Sequence, residues 1–292
     1  MRKDGVWGLS MIYCSALALG LSDPVGAQVP YALEFRRELF LLSSGLILRG
    51  YAERVHKDGL LDEAEAPELD RGQIPAFDRW SLGYRSLRAD RWSTNISDFA
   101  MAVPAGLALW DVVTGFEPPK ALARDLVIGA EVFCFASALP LFSKSWLERP
   151  RPLAYDSGIR GNQHLDTDAD ASFFSAHATA AFATAVYTGY TFQIKHPDSP
   201  LVPWIWSGML GAAGTVGGMR IYSGMHFLSD VVMGALVGSA CGYAIPRLHL
   251  SRPARRRKHQ TEEHWRLRTN VDAGLLWAAA VNRPVPGLIL TF

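Results

Sequence analysis

Five long apolar segments, at about residues 96–116, 126–142, 171–194, 201–219 and 227–245, limit what this chain can fold into. Each is close to the ~20 residues that a helix needs to cross a bilayer. In a hydrocarbon medium the backbone of such a segment must satisfy its own hydrogen bonds, which a helix does. The expected fold is therefore all-α, a bundle of five to six mostly membrane-spanning helices. None of the segments is purely apolar. Asp111 and Glu131 lie inside two of them, so the faces that carry them should turn toward a protein interior. The fourth segment bears Gly208, Gly211, Gly214 and Gly218, a small-residue stripe expected to let a neighbouring helix approach closely.

The flanks divide the chain further. Residues 1–27 read as a signal peptide or an N-terminal membrane helix: Arg2 and Lys3, an apolar run over 11–21, then Val25-Gly26-Ala27. Residues 28–95 read as extramembrane. They hold an amphipathic helix whose short apolar core, 39–48, is flanked by Arg36, Arg37 and Arg49, and then a polar linker in which no chemistry is legible. The bundle proper is 96–246. The tail, 247–292, opens with a basic cluster at 252–258 and ends in a possible short hairpin. Positive charge stays on the cytoplasmic side, which turns the loops at 143–170 and 220–226 outward. With 29 Lys and Arg against 28 Asp and Glu, the chain lacks the global positive field of a nucleic-acid binder. Cys14, Cys134 and Cys241 sit in apolar runs without metal spacing and read as buried thiols.

The polar residues with chemical potential lie in the outward loops. Lys144 and Arg151 are seven apart, two helical turns, before Pro152; two such cations can hold one phosphate from two sides. A solvated basic cluster is the alternative. Ser175-Ala176-His177 opens the third segment, where a hydroxyl and helix-start amides can donate to an anion, and where desolvation lowers an imidazole pKa. Asp166, Asp168 and Asp170 just before it read as helix-start charges and not as metal ligands. Arg220 is followed by His226 and Asp230. The last two, four apart on one helix face, suit a carboxylate that orients an imidazole.

In this order, Lys144-x6-Arg151-Pro152, Ser175-Ala176-His177 and Arg220-x5-His226-x3-Asp230 resemble the three-part motif of the type 2 phosphatidic acid phosphatase (PAP2) superfamily. That superfamily also includes bacterial non-specific acid phosphatases and vanadium haloperoxidases. The resemblance spans about residues 96–245. Phe174 stands where the family usually has Pro, Ala176 where it has Gly and Met219 where it has Ser. The Cβ of Ala176 restricts how closely its amide can approach a phosphate.

The resemblance implies a site at one end of the bundle and a metal-independent phosphatase without cofactor. His226 would be the nucleophile, His177 the general acid and base, and Asp230 the group that orients His226. Lys144, Arg151, Ser175, Ala176 and Arg220 would bind phosphate. The implied substrate is a phosphate monoester or pyrophosphate of a membrane lipid, cleaved at the outer face of a bacterial-type inner membrane. The alternatives are a periplasmic acid phosphatase for soluble monoesters, a lipid phosphotransferase, a vanadate haloperoxidase, or a non-catalytic membrane scaffold or transporter.

Overall fold

The computed structural model describes residues 30–58, 69–147, 149–155 and 171–251. These form seven α-helices: α1 (Phe35–Asp58), a single turn α2 (Ala76–Arg79), α3 (Leu87–Val113), α4 (Pro119–Lys144), α5 (Ala176–Lys195), α6 (Val202–Tyr222) and α7 (Leu228–Leu248). The signal or anchor at 1–27, Cys14, the three aspartates at 166–170, the basic cluster and the tail hairpin lie outside the described residues.

The helix starts are written in the sequence. Ser86 caps α3 by accepting from the Ala89 amide, Pro119 opens α4 with its fixed φ, and Ser175 caps α5. α5 is the axis of the bundle, packed against α3, α4, α6 and α7. On one side Ala183 and Tyr187 join Ile128 and Val132 of α4 and Cys241 and Ile245 of α7; on another Ala181 and Ala185 meet Met209, Ala213 and Val216 of α6.

Close packing comes from an unexpected place. A Cβ on Gly208, Gly211, Gly214 or Gly218 would meet nothing within 4 Å among the described residues. These four glycines are exposed, so that stripe is not the packing device it was expected to be. Gly234, Gly238 and Gly242 of α7 take that role: a Cβ on any of them would strike the α5 backbone at Ser175, Thr179 or Ala183. Spaced by four, they form one ridge-free face along which two helices approach closely.

By length and composition three helices among the described residues can cross a membrane, Leu87–Val113, Pro119–Lys144 and Leu228–Leu248. α5 and α6 coincide with the third and fourth apolar segments but fall short of that apolarity, because Thr, Tyr and Gly in α5 and Gly, Trp and Ser in α6 dilute their hydrophobic content. Large apolar side chains line the outside, among them Phe99, Trp110, Trp204 and Leu236. Asp111 and Glu131 are both buried. Asp111 belongs to an ionic cluster at the foot of α5, where Lys195 Nζ lies 2.5 Å from Asp125, 2.8 Å from Glu117 and 3.2 Å from Asp111. Arg124 and His196 complete it, 3.0 Å from Glu117 and Asp111 respectively.

Candidate active site

The opposite end of α5 is where residues 144–155 and 220–226 meet. α6 stops at Tyr222, and Gly224 turns the chain with φ +76° while its Cα packs against the Tyr84 carbonyl, leaving no room for a side chain. The Arg220 carbonyl accepts from the amides of Met225 and His226 at 3.2 and 3.3 Å. This wrapped C-terminus explains the spacing of five: it brings His226 back beside the arginine that ended the helix. Arg220 is buried, pairs with Asp90 of α3 and lies 3.5 Å from Ser93 Oγ. Its Nε has no hydrogen-bond partner among the described residues.

His226 is 1% exposed. Its Nδ1 lies 2.8 Å from the carbonyl oxygen of Ser172. A carbonyl can only accept, so Nδ1 carries the hydrogen and the lone pair of the neutral ring resides on Nε2. Burial pushes the His226 pKa well below the usual imidazole range, and the charges of Arg220, Lys144 and Arg151 push it further. The ring is thereby held neutral, with its lone pair on Nε2. His177, in the first turn of α5, is near enough to act on it electrostatically and faces the same three cations. Its Nε2 lies 3.4 Å from Thr94 Oγ1 of α3.

Among the proposed phosphate ligands, Lys144 ends α4 and Arg151 follows in the loop, its Nη1 3.3 Å from Met225 Sδ. Ser175 takes a more structural position. Its amide donates to the Asp230 carbonyl at 3.1 Å and its hydroxyl oxygen accepts from Ala178 at 3.3 Å. The amides of Ala176 and His177 open α5 and lack an intrahelical acceptor.

The ring of His226 is held differently from the sequence reading. Asp230 Oδ2 stands 3.6 Å from Nδ1, beyond a hydrogen bond, because the Ser172 carbonyl takes that hydrogen. Asp230 instead accepts from the Phe227 amide at 2.8 Å, from the Ser172 hydroxyl and from Arg149 Nη1 at 2.5 Å. It thus fixes the loop that presents the carbonyl.

Several residues of this network were not legible. Arg149 donates from Nη1 to Ser229 Oγ at 2.7 Å and from Nη2 to Asp78 at 2.8 Å, and its guanidinium lies 4.2 Å above the Phe227 ring. Asp78, fully buried on α2, also receives the Ser229 amide at 3.0 Å and its hydroxyl at 2.6 Å. The stretch 55–95, read as carrying no chemistry, therefore supplies Asp78, Asp90 and Thr94 to the site. Arg149 could have been suspected from its place between Glu148 and Pro150-Arg151-Pro152; a lone aspartate such as Asp78 gives no pattern to find.

Set beside known proteins, residues 125–253 match the PAP2 superfamily. The decaprenylphosphoryl-5-phosphoribose phosphatase of Mycobacterium tuberculosis, in two strains, is 30% identical over 124 residues, which is 42% of this chain. The chain spans 60% of the length of those relatives. A transmembrane PAP2-type phosphatidylglycerolphosphate phosphatase from Bacillus subtilis aligns over 71% of this chain and 93% of its own, with a TM-score of 0.43 and 22% identity. All three motif groups fall within or just beside the matched stretch. Over residues 125–253 the chain is similar to the PAP2 superfamily.

Proposed function

We propose that this protein is a metal-independent phosphatase of a phosphorylated membrane lipid, working through a phosphohistidine. The observation that carries the reading is the convergence of His226, His177, Lys144, Arg151 and Arg220 at one end of the bundle, with His226 Nδ1 committed to the Ser172 carbonyl. Nε2 of His226 attacks phosphorus; the P–O bond to the leaving group breaks, and its electron pair stays on that oxygen, which His177 protonates. Water then attacks the phosphorus of the P–N intermediate and gives its proton to His177, and the imidazole leaves. The three cations and the α5 amides neutralise the equatorial oxygens while charge shifts. Nothing in this route asks for a metal or cofactor.

A lipid substrate has its own support. An apolar cavity of about 640 Å³ runs among α1, α3, α4 and α5, lined by Leu42, Met101, Leu126, Phe133, Ala180 and Tyr187. Ala180 is about one turn from His177 along α5, which puts the near end of the cavity close to that site. It suits an acyl or isoprenoid chain whose phosphate sits above it, in keeping with the decaprenyl compound named in the mycobacterial relatives. The basic run at 252–258 supports a periplasmic face for that pocket through the positive-inside bias.

A soluble monoester is the competing substrate, favoured by the limited apolarity of α5 and α6. The deciding experiment is phosphate release by the purified protein from isoprenoid and glycerolipid phosphates and from soluble monoesters, each with a His226→Ala control. The expected outcome is preference for a lipid, with release lowered by at least ~10²–10⁴-fold in the variant. Equal turnover by the variant overturns the mechanism, and preference for soluble esters overturns the lipid assignment.

A further inference from the structure

Three buried side chains from distant stretches meet away from the phosphate pocket, and the chemistry above uses none of them. Glu38 comes from the first turn of α1, Glu131 from the middle of α4, and His249 from the residue after α7. All three are 0% exposed. Candidate ligand atoms of the three lie within 4.8 Å of one another.

The tautomer of His249 is fixed as that of His226 is. Nδ1 lies 2.8 Å from the Ile245 carbonyl oxygen, so the neutral ring carries its lone pair on Nε2. That nitrogen stands 3.1 Å from Glu38 Oε1 and 3.0 Å from Glu131 Oε2. Three electron-rich atoms so close repel one another unless a cation lies among them. Glu38 has donors of its own, from Arg37 at 2.7 Å and the Glu34 amide at 2.8 Å. Glu131 has none: both its oxygens, and Nε2 of His249, are buried without an aligned hydrogen bond among the described residues.

A proton on Nε2 is the simplest cation, but it would be directed squarely at neither carboxylate and would leave one Glu131 oxygen bare. A metal ion serves all three atoms at once. With metal–ligand bonds of ~2.1 Å, neighbouring ligand atoms are ~3.0–3.4 Å apart; His249 Nε2 stands at 3.1 and 3.0 Å from the two carboxylates, and the carboxylate oxygens lie within 4.8 Å of each other. A ligating histidine whose other nitrogen donates to a backbone carbonyl is the usual supporting arrangement.

We propose that Glu38, Glu131 and His249 bind one divalent ion of the zinc class. One imidazole and two carboxylates, with no thiolate, suit Zn²⁺ or its first-row neighbours better than Mg²⁺ or Ca²⁺. The two carboxylates offset two of the three positive charges that the ion and the Arg37 guanidinium on Glu38 would bring together. The role is structural: Glu38 precedes the PAP2-matched residues 125–253, whereas Glu131 and His249 lie within them, so the ion clamps α1 to the bundle. The site is independent of the proposed phosphatase chemistry, and either assignment can fail without the other.

The test uses the full chain in detergent, stripped with a chelator, desalted, loaded with Zn²⁺ alone and desalted again before metal analysis. The wild type should retain about one equivalent and gain thermal stability from it. Glu131→Gln and His249→Gln should each lose both the equivalent and the gain. Because either variant could misfold, Co²⁺ is also loaded into the stripped wild type; d–d absorption of a nitrogen- and oxygen-coordinated ion, displaced by Zn²⁺, is expected. No retained metal and no Co²⁺ spectrum overturns the proposal in favour of a proton-bridged triad. Metal retained equally by both variants, or lost on replacing the tail histidines His259 and His264, overturns it as well.

Discussion

At the scale of single residues, the site depends on where one hydrogen goes. His226 gives its Nδ1 hydrogen to the Ser172 carbonyl, and Asp230, Arg149 and Asp78 hold the loop that carries that carbonyl. Arg149→Lys keeps the charge but loses the fork that reaches both aspartates and Ser229. We expect kcat to fall by about 10-fold or more with KM little changed, since the cations that bind phosphate remain. A KM rise without loss of kcat would instead make Arg149 a substrate ligand. The depressed pKa of His226 also has a pH signature. The unfolded chain takes up a proton on this histidine below about 6.5, and the folded chain does not, so this contribution to stability is complete above that pH and is lost as pH falls. Thermal unfolding between pH 7 and 5 should therefore decline less steeply in His226→Asn than in the wild type; identical slopes would show the native ring to be protonated. His226, His177 and the three cations could be found from sequence because their types and spacing form a pattern. The Ser172 carbonyl could not, since any residue carries one.

At the scale of helices, the sequence located the five core elements to within a few residues except at the N-termini of α3 and α4, which lie nine and seven residues before their apolar segments. In α3 Arg88, Asp90 and Arg91 are polar but still helical, and Asp90 reaches Arg220. Hydropathy cannot see such a turn. Glycine patterns misled for a related reason: a stripe reports that close approach is permitted, not that a neighbour is there. Gly238→Ala would press a Cβ onto the Thr179 carbonyl and should cost about 1–3 kcal/mol. Gly211→Ala meets open space and should stabilise by up to ~1 kcal/mol through helix propensity. Thermal denaturation of the two variants in one detergent compares them; a destabilising Gly211→Ala would mean that the exposed stripe packs against a partner.

At the scale of the whole molecule, α5 links two different ends. At its N-terminus a cationic pocket surrounds two imidazoles, and at its C-terminus Lys195 gathers three carboxylates. Between them lies the apolar cavity. The resemblance in sequence covered the bundle and its motif residues, but the polar stretch before it gave no sign that Asp78 and Asp90 complete the pocket, because tertiary contacts alone assign them. The central claim is that His226 carries the phosphoryl group during turnover. Rapid acid-free quenching of a His177→Ala variant, incubated with a ³²P-labelled isoprenoid phosphate, followed by peptide mapping, tests it most directly. Label that is acid-labile, stable in base and confined to His226 is the predicted result; turnover of the wild type with no labelled protein in either form, or label on another residue, would contradict the account.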